Sequence, residues 1–121
     1  MTCEHTTALF EAIDKLESQL QSVGQEANTQ ELSLVVQELS WCLATARLGT
    51  QILHTLLSER SAGRNINSLC ELPDNIRSEL RRTLEQIITG HMANWAARNR
   101  PGGLKDSVNR LGLLAQQLTT N

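Results

Sequence analysis

The stretch ELSLVVQELSWCLATARLGTQILHTLLSER, residues 31–60, decides the fold class. Its apolar side chains, Leu32, Val35, Val36, Leu39, Cys42, Leu43, Ala46, Ile52, Leu53, Leu56 and Leu57, recur largely at steps of three and four. That is the period of one stripe on an α-helix. Thirty helical residues would span about 45 Å. Asn28, with Glu31 three residues on, resembles a capping box, so the helix is expected to begin after Asn28 or Thr29. Gly49 falls in its middle, where glycine costs about 1 kcal/mol relative to alanine. With Ala46 nearby, it reads as a shallow spot where another helix approaches closely, a kink being the alternative. If Leu39 and Leu43 face the core, Trp41 points away from them. It is then either an exposed anchor for a partner or packed against a neighbouring helix or the 61–72 connection.

The same period recurs on both sides. Upstream, Leu9, Ile13, Leu16, Leu20 and Val23 alternate steps of four and three. They predict a helix over 7–21 that stops near Gly24. Downstream, residues 61–72 hold Gly63, Asn65 and Asn67 and read as a long connection, pinned to the core by Ile66, Leu69 and Cys70. Pro73 suits the first turn of a helix and Asp74 complements its dipole. Ile76, Leu80, Leu84, Ile87, Ile88, Met92 and Trp95 predict the buried face of that third helix, which ends near Arg98. Arg98 and Arg100 complement the negative end of its dipole. Pro101-Gly102-Gly103 breaks the chain, and Leu104, Val108, Leu111, Leu114, Ala115 and Leu118 form a fourth stripe. Helices joined by so short a turn lie antiparallel. The expected fold is a single all-α domain over 1–121, an antiparallel bundle of about four helices, two long and two short, with the stripes facing inward.

The 121 residues, 40% hydrophobic and 20% charged, suit one globular core. Two Trp, one Phe and no Tyr leave little material for base stacking or sugar clefts. A formal net charge of -2 gives no footprint for phosphate backbones or anionic membranes. Neither nucleic acid nor membrane is expected as a partner, and no stretch nears the roughly 18 apolar residues of a membrane span. The start, Met1-Thr2-Cys3-Glu4-His5, has no basic and apolar signal pattern, so a soluble cytoplasmic chain is expected if Met1 is the true start. Cys3, Cys42 and Cys70 are odd in number and irregularly spaced, which favours reduced thiols.

The chemistry-bearing residue types do not assemble into a motif. There is no CxxC or HxxxH pair, and Cys3-Glu4-His5 stands alone at a terminus expected to fray. No metal or other cofactor is therefore expected. His54 and His91 sit beside their helical stripes and read as structural histidines. Cys42 and Cys70 read as small core residues. No GxSxG elbow supplies a nucleophile. The carboxylates from Glu11 to Asp106 do not form the adjacent pair of glycoside hydrolysis and read as a solvated face. Gly102-Gly103 lacks the rest of a phosphate loop. No catalytic, cofactor-binding or metal-ligating residue is assigned. A partner-binding helix face stays open, because the stripes extend beyond what a bundle needs to cover.

The run WAARNRPGGLKDS at residues 95–107, followed by Arg110 and Leu111, is the most individual in the chain. It resembles the W-x-x-R-N-R-P-G-G-L-x-D-S-x-x-R-L run near the C-terminal end of some bacterial β-N-acetylhexosaminidase-like (family 20) glycoside hydrolases. Glu38, Leu39, Cys42, Ala46, Arg47 and Gly49 have a similar flavour upstream, and the likeness extends from about residue 31 to 114. The resemblance implies a noncatalytic helical bundle of the kind that follows a catalytic (β/α)-barrel. The family's Asp-Glu pair lies in that barrel, and no such position maps onto this chain. On this reading the chain stands alone or is part of a longer one, and its partner is a barrel domain or another protein chain. The alternative is a freestanding helical adaptor or dimerisation module, a homo-oligomer included.

Overall fold

The computed structural model describes residues 1–98 and 104–119. It holds helices α1 (Cys3–Gln25), α2 (Gln30–Ser61), α3 (Asp74–Ala97) and α4 (Leu104–Gln117), with a short 3-10 helix at Leu69–Glu71. Among the described residues there is no strand, and no helix is long and apolar enough to cross a membrane. Each helix packs antiparallel on the one before it in the chain. Cys3 lies against Ser58 and Thr6 against His54, Trp41 reaches Ile87, and Arg77 reaches Thr119.

The helix ends follow local hydrogen bonding. The Oγ1 of Thr29 caps α2 by accepting from the Leu32 N–H at 3.1 Å. Glu31, expected to close a capping box, instead pairs with Arg98. Helix α1 begins well before the expected residue 7. Thr2 donates its backbone N–H to His5 Nδ1 at 3.0 Å, and Thr6 is fully buried against α2. Cys3, Glu4 and His5 therefore form a helical first turn and not a frayed end. At 23 residues α1 nearly matches the 24 of α3, so the bundle has three long helices and one short. In the connection, Glu71 accepts from the N–H groups of Asn67 and Ser68, which sets Leu72 into the core and Ile66 and Leu69 against it. The turn at Pro101-Gly102-Gly103, with Asn99 and Arg100, lies outside the described residues.

The core is not shared equally. Leu48 of α2, Leu72, then Leu80, Leu84 and Ile87 of α3, and Leu118 after α4 form its buried centre. Arg77, itself buried, pins the end of α4 by donating from Nη1 to the Thr119 carbonyl at 3.0 Å, with Asp74 on Nη2. Helix α1 contributes only Ile13 and Thr6 as fully buried residues. Polar contacts supplement its attachment to α2. Arg47 reaches Glu17 through Nε at 3.2 Å and Nη2 at 2.9 Å, and Asp14 as well. The hydrogen bonds to Glu17 and Asp14, in that order, raise the Arg47 guanidinium above its ordinary pKa. The Thr6 hydroxyl lies within hydrogen-bonding distance of both the Cys3 carbonyl, at 2.9 Å, and His54 Nδ1, at 2.7 Å. Phe10 meets the His54 ring edge-on at 5.8 Å.

Several residues expected inside are outside. Leu9, Leu16, Val23, Val35, Leu39 and Met92 are exposed, as are Cys42 and Cys70. For the α1 and α2 residues the reason is geometric: a stripe wide enough to face two neighbours is half uncovered when one neighbour is missing, and α1 touches chiefly α2.

Candidate interaction face

Helix α2 presents its sides to two different neighbours. Toward α3 it sends Trp41, whose indole Nε1 donates to the Ile87 carbonyl at 2.7 Å. Gly90 makes room for that ring: a Cβ there would lie 3.2 Å from Trp41 Cδ1. His91 stacks on Trp41 with centroids 4.8 Å apart, and Trp95 meets His91 edge-on at 5.6 Å. Of the two roles open to Trp41 in the sequence, the structure selects the packed one.

Above this stack, Arg98 closes the end of α3 onto α2. Its Nη1 donates to Glu31 Oε1 at 2.7 Å, and its Nε donates to Glu38. The hydrogen bonds to Glu31 and then Glu38 raise the pKa of this guanidinium. Trp41, Cys42, His91, Asn94, Trp95, Glu38 and Arg98 together line a cleft of about 190 Å³. Its charged groups are paired to each other and its imidazole is stacked, so the cleft is built as a helix-to-helix clasp. His54 is likewise engaged, by Thr6 and Phe10. Among the described residues, no three His, Cys, Asp or Glu side chains converge as a metal site requires.

The other open side of α2 differs in character. Val35, Leu39, Cys42, Ala46, Gly49 and Leu53 follow one another at steps of four and three, and none carries charge. All but Leu53, which is half-buried, are exposed. Among the described residues nothing lies within 4 Å of where a Cβ on Gly49 would stand, so none of them makes the close approach expected there. Helix α2 nevertheless runs through it as one element. Helix α1 runs alongside with Leu9, Leu16 and Val23 at successive heptad positions, equally outward. The five large aliphatics Leu9, Leu16, Val23, Val35 and Leu39 are each between 36% and 49% exposed. Between the helices lies a groove of about 370 Å³ lined by Leu16, Gln19, Leu20, Val23, Leu39, Cys42 and Leu43. It contains no charged side chain.

The large apolar residues of this seam belong to stripes that the sequence places facing inward, and Gly49 to a spot where it places the close approach of another helix. A 4-3 repeat is the spacing of a helix-to-helix seam, and on α2 it runs through exposed positions. The chain matches no protein family, no curated protein and no solved structure with which it was compared.

Proposed function

We propose that this chain is a noncatalytic helical domain that acts by association, taking a helix of another polypeptide onto the α1/α2 seam. The observation that carries the reading is the uncharged, outward-facing 4-3 stripe on α2 beside the heptad-spaced, exposed Leu9, Leu16 and Val23 of α1. Depletion of charge is what distinguishes the centre of a protein interface from ordinary surface. Exposed apolar patches of several hundred Å² mark interaction sites in water-facing proteins. The chemistry of the partner follows: a helix whose own apolar stripe has the same period and no charge along it. Binding of a hydrophobic fluorescent dye by the dilute pure chain, lost in Leu39→Glu and kept in Leu113→Glu, is the expected result. Failure of the dye to bind, together with a Cys42 thiol inert to thiol reagents, would remove the reading.

The family 20 resemblance supplies a second reading, in which the same domain is the noncatalytic bundle that accompanies a glycoside-hydrolase barrel. What favours it is the position of the described part of the matched run: Trp95 and Arg98 secure the end of α3 to α2, the structural role such a run would have. Incubated with a chromogenic N-acetylglucosaminide, the pure chain should give no turnover. Co-elution with an isolated barrel of that family would favour this reading, and hydrolysis by the chain alone would overturn both.

A further inference from the structure

The seam has an internal symmetry that bears on its occupant. On α2 the stripe runs Val35, Leu39, Cys42, Ala46, Gly49, Leu53, and its midpoint is residue 44. Reversed end to end, it sets Val35 against Leu53, Leu39 against Gly49 and Cys42 against Ala46. The large Leu39 thus meets the residue with no side chain, and the two small residues meet each other. On α1 the stripe Leu9, Leu16, Val23 is centred on Leu16, and reversal sets Leu9 against Val23. The contacts Cys3–Ser58, Thr6–His54 and Gly24–Val36 fix the register of the two helices and place Leu16 level with Ala44 and Thr45. One two-fold axis at that level therefore serves both stripes.

Resting on the interaction reading above, we propose that the occupant of the seam is the same seam of a second copy of this chain. In that dimer α1 lies antiparallel on the partner's α1 and α2 on the partner's α2, and Leu39 seats over Gly49 across the axis. Self-complementarity of this kind is what a two-fold interface requires. The faces also meet without opposed like charges, because neither stripe carries any. The five exposed aliphatics offer roughly 400 Å² per protomer, about half of the ~800 Å² per partner that a stable interface buries, before Cys42, Ala46 and Gly49 are counted. A glycine in the middle of a long helix, with open space over it, is the notch this packing uses.

Sedimentation equilibrium of the full chain tests the proposal. A monomer–dimer equilibrium is expected, weakened at least tenfold by Leu39→Ala and by Gly49→Leu separately and restored toward wild type when the two are combined. The exchange returns a large residue opposite a small one only if the partner is an antiparallel copy. Leu113→Glu, on the exposed side of α4, should leave the equilibrium unchanged, and circular dichroism should keep its helical signal in every variant. Cys42 alkylation should slow as protein concentration rises, while that of Cys70 should not. A strict monomer with a freely reactive Cys42 would overturn the second-copy proposal and leave the interaction reading standing. A Cys42 inert even in the monomer would remove both. A dimer in which the double variant stays as weak as the single ones would overturn the antiparallel register and the proposal with it.

Discussion

Leu84 is 1% exposed at the centre of the α2, α3 and α4 packing, whereas Leu111 is only partly buried at its edge. Leu84→Ala should cost about 2–5 kcal/mol through lost burial and the cavity left behind, and Leu111→Ala less, as measured by urea unfolding. The two central glycines should answer alanine differently. At Gly49 the added methyl meets open space, so in the dilute monomer the helix gains about 1 kcal/mol of propensity. At Gly90 it meets a Trp41 indole held by its hydrogen bond and its stack, so the same change should be a net loss accompanied by a shift in tryptophan emission. Glu59 is buried and its pKa is lowered, chiefly by the hydrogen bond from Arg64. A carboxylate with a lowered folded pKa stabilises the fold above its ordinary value, and that contribution is lost as pH falls through the lowered one. Glu59→Gln should therefore flatten the fall of the unfolding midpoint on the acid side of the ordinary glutamate range and have less effect on its slope near neutrality.

At the scale of elements, α1 is the helix held least by the core. Its polar ties to α2 are worth little singly: a partly exposed ion pair such as Arg47 with Glu17 contributes about 0.5 kcal/mol and weakens with salt. Amide hydrogen exchange should therefore open α1 before α3, and Arg47→Met should widen the gap without speeding exchange in α3. The elements themselves were largely legible. The apolar period located all four helices, and Pro73 marked the start of the third. The start of α1 was missed because its first turn is held by His5, Thr6 and Cys3, polar or small residues that no stripe reveals. Thr29, and not Asn28, caps α2, and Glu31 pairs with an arginine 67 residues distant in the chain.

For the molecule as a whole, an apolar face left open at the α1/α2 seam ties stability to association. If a second copy covers the seam, the melting temperature should rise with protein concentration, as mass action requires, and the Leu39→Glu variant should lose that dependence. Local periodicity was enough to establish an all-helical antiparallel bundle, since the spacing of apolar residues along a helix is a property of neighbours in the chain. Which half of each stripe is covered depends on how many helices surround it, and that is settled by long-range packing. Hence Leu39 and Leu84, alike in local pattern, end one at the surface and one in the core. Trp41 became half of a clasp because Gly90, distant in sequence, leaves space for its ring. The outward seam, likewise, is a product of tertiary packing, because no described helix of the chain lies against it.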